Sequence, residues 1–267
     1  MLRLIVCGAG GRMGTTVVRL AQGVGSVKVV GAIEGAANPH IGKDAGEVAG
    51  VGKIGVTIAA EITPLVKGQI VIVEFSTPEA TAEHARLAAQ KMIPMVIGTT
   101  GLNRQQSAEI EKLARRTPIL VSANMSLGVN LLVRLLGDVA KVLGQDYDVE
   151  IIEAHHHFKK DAPSGTALAM ARSVAQALRR DLGKVAVNGR KGIVGERTKQ
   201  EIAVLSVRAG DIVGDHTVMF GGIGERIEFI HRAHSRDTFA QGALRAAQWL
   251  AKQKAGLYSM QDVLQLK

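Results

Sequence analysis

The chain has 267 residues, enough for one large domain or two modest ones. Hydrophobic content of 46% and charged content of 21% fit a globular chain; no apolar run reaches the roughly 20 residues that span a bilayer, and the N-terminus enters a strand with no leader pattern, so neither a membrane nor a secretory role is expected. The net charge of +9 favours anionic ligands, but the basic residues are spread out and only 3% of residues are aromatic, so stacking platforms are scarce and no nucleic-acid partner is expected.

In chain order, residues 2–6 read as a short buried strand. The single cysteine, Cys7, excludes an internal disulfide and suits a small buried side chain in a reducing, cytoplasmic compartment. Next comes Gly8-Ala9-Gly10-Gly11-Arg12-Met13-Gly14, followed by Met13, Val17, Leu20, Ala21 and Val24 at helical spacing. Strand, glycine loop and helix form a dinucleotide-binding unit, in which glycines allow a tight turn and let pyrophosphate rest on the helix N-terminus. The fingerprint admits two alignments. As G-x-G-x-x-G it puts Met13 in the third glycine place; as G-x-x-G-x-x-G it fits with Gly8, Gly11 and Gly14.

A second strand over residues 27–33 ends at Glu34, about 20 residues after Gly14, where a carboxylate can accept from the adenosine ribose hydroxyls. The next residue is Gly35, not Arg, so no guanidinium stands ready for a 2′-phosphate. The expected cofactor is NADH or NADPH, with a lean to NADH that Lys43 could offset. Strands over 54–58, 70–75, 94–97 and 119–121 alternate with helices over 79–91 and 103–115, which predicts a Rossmann-like doubly wound parallel sheet. Gly98-Thr99-Thr100-Gly101 and Ser122-Ala123-Asn124-Met125-Ser126 follow two of these strands and should line the carboxyl edge, at the nicotinamide end.

A helix over 128–143 opens a different pattern. A strand over 147–154 and a helix over 167–178 lead to a basic, glycine-bearing loop over 179–199. Segments 201–207, 216–220 and 226–232 alternate apolar and polar residues in the manner of antiparallel strands with one covered face. A last helix spans 237–252. The expected fold is therefore α/β: a dinucleotide-binding domain over 1–126, a second α+β domain with a mixed, largely antiparallel sheet over 127–236, and a C-terminal helix over 237–267 that returns to the first domain.

The stretch from Glu153 to Ala167 carries the chemistry. His155, His156 and His157 offer protons near neutral pH, Lys159 and Lys160 offer fixed positive charge, and Pro163-Ser164-Gly165-Thr166 opens a helix whose backbone N–H groups can hold an anion. This suits a small acid held by its carboxylates while it gains or loses a proton. Strand alternation would put His155 and His157 on one face, so a metal site is the alternative, but no cysteine or regularly spaced carboxylate completes a ligand set and no metal is expected. A metal-dependent hydrolase and a non-catalytic redox sensor are the competing function classes; a sensor has no need of Lys159 and the Pro163–Thr166 pocket.

The glycine loop, Val96 to Gly101, Glu150 to His156, Lys159 with Asp161 to Ala167, and Arg208 to Gly214 together resemble the dihydrodipicolinate reductase (4-hydroxy-tetrahydrodipicolinate reductase) family over essentially the whole chain. The resemblance implies reduction of a cyclic conjugated dicarboxylate by a nicotinamide cofactor in lysine and diaminopimelate biosynthesis. It implies that Gly8, Ala9, Gly10, Gly11, Arg12, Met13, Glu34, Gly98, Thr99, Thr100, Ser122, Ala123, Asn124 and Met125 meet the cofactor. It makes His155 and Lys159 the acid groups and has His156, Gly165 and Thr166 hold the substrate, to which Lys159 adds a charged donor and the Ser164–Thr166 backbone an anion nest. It also implies a homotetramer built through the second-domain sheet. Four positions depart from the family pattern: Met125 replaces a frequent Phe, His157-Phe158 an Arg-His pair, and Gly35 an Arg used by relatives that take NADPH.

Overall fold

The computed structural model describes residues 1–66 and 68–266. Backbone proximity divides the chain into two units, residues 1–127 with 236–267, and residues 128–235. The first unit opens with β1 (Leu2–Cys7), α1 (Arg12–Ala21), β2 (Val27–Ile33), α2 (Ala45–Val48), β3 (Ile58–Ala59), β4 (Val71–Glu74), α3 (Pro78–Lys91), β5 (Met95–Ile97), α4 (Arg104–Leu113) and β6 (Pro118–Val121). Helix α5 (Leu127–Leu143) begins the second unit, which continues with β7 (Asp148–His155), α6 (Gly165–Ala177), α7 (Leu182–Val185), β8 (Ala186–Val187), β9 (Ile202–Arg208), β10 (Gly214–Gly221) and β11 (Arg226–Ala233). The chain then returns to the first unit as α8 (Asp237–Leu250), β12 (Gly256–Tyr258) and α9 (Met260–Val263).

The first unit carries a parallel sheet in the order β12-β6-β5-β4-β1-β2-β3. Alternation along β1 sends Leu4 and Val6 to one face, against Val17 and Val18 of α1 and Ala243 and Ala247 of α8. Ile5 and Cys7 go to the other, against Ala85 and Ala88 of α3 and Ile110 of α4. With both faces covered, β4 and β5 are buried at every residue, which is why they read as unbroken apolar runs. The strand order reverses between β1 and β4, so the loops leaving their carboxyl ends open a crevice there.

Two elements of this sheet differ from expectation. The strand predicted over 54–58 shrinks to Ile58–Ala59. The Asp44 carboxylate accepts from the backbone N–H groups of Gly46 and Glu47, where it caps α2, and also from those of Ile54, Gly55 and Val56 at 2.8–3.0 Å. Those donors are thereby withdrawn from a ladder. At the opposite edge, β12 pairs in parallel with β6 after the C-terminal helix ends; three residues are too few to show a period of two.

The second unit carries a five-stranded mixed sheet in the order β11-β10-β7-β9-β8. Strand β10 is antiparallel to both β7 and β11, but β9 is parallel to β7, contrary to the antiparallel reading of 201–207. The chain leaves β7 at its carboxyl end and crosses back through α6, so it re-enters the sheet in the same direction. The predicted 179–199 loop contains α7 and β8, and Arg190 and Arg197 tie it to Asp148, Glu150 and Glu201 of the sheet. Val149, Ile151, Val204, Val218 and Phe220 fill the covered face against Leu136 of α5 and Met170 and Val174 of α6. Val207, Ile227 and Ile230 remain exposed.

Candidate active site

In the first unit the glycine turn is built by what it leaves out. Gly8 has φ +74°, and a Cβ there would stand 2.5 Å from the Phe75 carbonyl oxygen. A Cβ on Gly14 would stand 2.0 Å from the Gly8 carbonyl oxygen, so the start of α1 can close onto the turn only as glycine. These two positions belong to the Gly8-Gly11-Gly14 alignment; Gly11 is the N-cap of α1 and has no side chain to cap the first-turn N–H groups, which leaves them for an anion. The Glu34 carboxylate accepts from the N–H of Gly10 at 2.9 Å and of Gly35 at 3.1 Å, anchoring it at the carboxyl end of β2 beside the turn.

A cleft of about 400 Å³ opens at the crevice. It gathers Gly11, Arg12 and Met13 with Gly98, Thr99 and Thr100 and with Ala123, Asn124 and Met125. Gly8, Ala9, Gly10, Glu34 and Ser122 are not among its lining residues. Ala9 is buried and its N–H bonds the Ile33 carbonyl. The Thr99 hydroxyl accepts from Thr81 inside the fold, and the Ser122 hydroxyl donates to the Asn124 carbonyl, so both side chains are already engaged. Met125 is 2% exposed and packs into the core with α8, where a Cβ on Gly242 would collide with its carbonyl. Phe75 and Phe239 also line the cleft, and sequence reasoning missed both. The only signal for Phe75 was its place just past a strand end, opposite Gly98, where a Cβ would stand 2.1 Å from the Phe75 ring.

In the second unit β7 buries Val149, Ile151, Glu153 and His155 on one face. Alternation thus carries a carboxylate and an imidazole out of the core to the strand's carboxyl end. Glu153 is fully buried. One of its oxygens bonds His155 Nδ1 at 2.6 Å and Arg208 Nη1 at 2.8 Å; the other accepts from Arg208 Nη2 at 2.8 Å and from the Ser164 N–H at 3.1 Å. Burial alone would raise this carboxyl; the bonds from Arg208 and His155 outweigh it and bring it down to about 2. Burial pushes the His155 imidazole down, against the pull of Glu153. Register explains the gathering: Arg208 lies opposite His155 on β9, and His216 opposite Glu153 on β10.

Lys159 Nζ pairs with Asp161 at 2.9 Å, and Arg208 also donates to the Asp161 carbonyl. Ser164 caps α6: its hydroxyl oxygen accepts from the Ala167 N–H, and it lies 3.0 Å from His216 Nε2. Burial pushes His216 down to about 3, so it is neutral at neutral pH. Ser164 is buried, whereas Gly165 is exposed and Thr166 half-buried at the helix start. His156 is half-buried, and its Nδ1 has no hydrogen-bond partner among the described residues. The strand ends at His155, so His157 does not share its face; His157 turns to the Gly210 carbonyl and its ring lies against the exposed Phe158 at a tilt of 46°. Glu153, Arg208, Gly214 and His216 went unassigned in the sequence, although the period of two already set Glu153 beside His155.

One further group of ligand-type atoms lies together among the described residues: Cys7, Glu74 and His84 in the first unit. Glu74 and His84 meet at 2.6 Å, a hydrogen-bond distance.

A parallel sheet whose switch point opens on a glycine turn, with a carboxylate ending the second strand, defines a nicotinamide-dinucleotide oxidoreductase. The family models described as "Dihydrodipicolinate reductase, N-terminus" and "Dihydrodipicolinate reductase, C-terminus" match residues 2–125 and 128–264. The 4-hydroxy-tetrahydrodipicolinate reductase of Syntrophus aciditrophicus is 50% identical over 264 residues, 99% of this chain and 98% of that protein. Its namesake from Geotalea uraniireducens is 49% identical over the whole of both chains. The solved structure of a dipicolinate-bound dihydrodipicolinate reductase from Paenisporosarcina sp. TG-14 shares the fold, with TM-score 0.74 and 23% identity over 97% of each chain. The chain belongs to the dihydrodipicolinate reductase family and is a reductase using a nicotinamide cofactor.

Proposed function

We propose that this protein reduces 4-hydroxy-tetrahydrodipicolinate to tetrahydrodipicolinate in lysine and diaminopimelate biosynthesis. The carrying observation is the β7–α6 loop, which sets His155, Lys159 and the start of α6 around one sheet edge in a chain about 50% identical to named reductases. When bound, the reduced nicotinamide supplies the hydride. The turn from Gly8 to Gly14 and the start of α1 would hold its pyrophosphate, with Arg12 adding charge, and Glu34 would accept from the adenosine ribose hydroxyls. Gly98 to Thr100 and Ser122 to Met125 shape the nicotinamide end. His155 and Lys159 donate the proton that completes the reduction. The backbone N–H groups of Gly165 and Thr166, with His156 and Lys159, hold the ring carboxylates, and Ser164 keeps that helix start in place through its cap.

The preferred cofactor is NADH. The acidic Glu34 directly follows β2, Gly35 offers no guanidinium for a 2′-phosphate, and Lys43 is exposed on the loop beyond. The functional domains are 1–126 for the cofactor, 127–236 for substrate and assembly, and 237–267 as the returning segment. The assembly is a homotetramer in the cytoplasm, a reading supported by the exposed Val207, Ile227 and Ile230 on the second sheet; light scattering on a sizing column tests it. No helix among the described residues is long and apolar enough to cross a membrane. Steady-state oxidation of NADH and NADPH with freshly generated substrate tests the whole reading. Turnover with a higher kcat/KM for NADH is expected; no oxidation of either cofactor overturns the reaction, and a higher kcat/KM for NADPH overturns the preference.

A further inference from the structure

Glu153 is a fully buried carboxylate on the face of β7 that otherwise carries Val149 and Ile151. An apolar side chain there would complete the core without the desolvation that a buried charge costs. What the carboxylate adds is direction, because donors from three separate elements converge on it. His155 Nδ1 reaches it from the strand end, the Arg208 guanidinium from β9, and the Ser164 N–H from the start of α6.

We propose that Glu153 is the positioning residue of the proton-donating site, fixing His155 with its proton on Nδ1 and its Nε2 open to the substrate. The inference rests on the reading of His155 as an acid. A carboxylate held ionised by Arg208 accepts the Nδ1–H, which leaves Nε2 as the nitrogen that gains and gives up the catalytic proton. A Cβ on Gly214 would stand 3.0 Å from Nε2 and 3.4 Å from the ring carbon beside it, so glycine at that position leaves room for the imidazole in this orientation. The same carboxylate holds the N-cap residue of α6, and Arg208 holds the Asp161 carbonyl. Acid and anion nest are therefore fastened to one group.

The charged and titratable groups facing His155 are Glu153 on its own strand, Lys159 on the following loop with its partner Asp161, Arg208 from β9 and His216 from β10. Among them Glu153 favours the imidazolium, whereas Lys159 and Arg208 oppose it. Removing the carboxylate charge therefore brings the alkaline fall of kcat to lower pH.

The test is Glu153→Gln in the full chain, assayed across neutral pH beside His155→Ala and Glu153→Asp. A fall in kcat of about 10–100-fold is expected, with a smaller change in KM, an alkaline limb moved down by about one pH unit, and partial recovery in Glu153→Asp. Wild-type kcat with the limb in place overturns the proposal while a slow His155→Ala leaves the acid reading standing; wild-type kcat in His155→Ala overturns both. A measurement on the unaltered protein keeps the question open to refutation if Glu153→Gln does not fold. Nitrogen-15 NMR of the imidazoles should show neutral His155 as the Nδ1–H tautomer, and the Nε2–H tautomer refutes the proposal.

Discussion

Each unit sets a fully buried glutamate at the carboxyl end of a strand and joins it at 2.6 Å to Nδ1 of a histidine: Glu74 with His84, and Glu153 with His155. Their surroundings differ. Glu153 has the two-pronged Arg208, and its histidine stands at the strand end beside a glycine. Around Glu74 are the Ser76 N–H and the Cys7 thiol, with no arginine or lysine paired to it among the described residues, and its histidine is inside α3. Burial, reinforced by Glu74, pushes that thiol well up, so it is an inert donor. The comparison teaches that a carboxylate–histidine pair is not a site by itself. A permanent cation, Arg208, is paired with the Glu153 carboxylate, and on the reading proposed above this leaves His155 free to exchange a proton. The Glu74 carboxylate accepts from the Ser76 N–H and so ties down the Phe75–Ser76 turn that lines the first unit's cleft.

The largest expected difference between the pairs is in turnover. His155→Ala and Lys159→Ala should each lower kcat by about 10²–10⁴-fold. His84→Ala should leave kcat within about threefold and cost about 1–3 kcal/mol in urea unfolding, because Glu74 loses a buried partner. Equal kinetic losses in the two histidine variants would break the comparison.

Acid sensitivity of the Glu153 site is the next expected effect. In the folded protein burial is outweighed by the bonds from Arg208 and His155, which hold the Glu153 carboxyl down at about 2, below the 4.5 of an ordinary glutamate. Because the folded value is the lower one, its contribution is complete above pH 4.5 and is lost as pH falls toward 2. The difference corresponds to about 3 kcal/mol. Urea unfolding at neutral pH and near pH 3 should show a steeper acid loss in the wild type than in Glu153→Gln; identical slopes would remove the arginine from the argument.

Smaller effects sharpen the nucleotide side. Gly14→Ala forces a methyl group onto the Gly8 carbonyl and should cost about 1–3 kcal/mol in stability together with weaker NADH binding, read by fluorescence titration. Glu34→Ala should leave the circular dichroism unchanged and weaken NADH by about fivefold, the scale of one hydrogen bond of about 1 kcal/mol. Undiminished affinity in Glu34→Ala counts against its ribose role.

Much of this was legible in residue order. The apolar runs of β1, β4 and β5 are continuous because helices cover both faces, and a continuous run needs no partner to be recognised. The glycine turn was legible but ambiguous between two alignments, and only the positions of the Gly8 and Phe75 carbonyls show which glycines lack space for a side chain. The shortening of the 54–58 strand to β3 was illegible because Asp44, ten residues before Ile54, takes the donors of Ile54, Gly55 and Val56. The parallel setting of β9 was hidden because alternation reports a covered face and says nothing of direction.

By itself the sequence determined the α/β class, the glycine turn with its following acid, and the loop that carries His155, Lys159 and the Ser164–Thr166 helix start, since these are patterns of neighbours along the chain. Tertiary structure alone decided that Arg208, some 50 residues from Glu153, would neutralise it. It also decided that His216 would sit by Ser164, and that Phe75 and Phe239 would line the cleft beside the glycine turn. Such meetings depend on strand order and register, which place distant residues at one sheet edge through hydrogen bonds that no local pattern encodes.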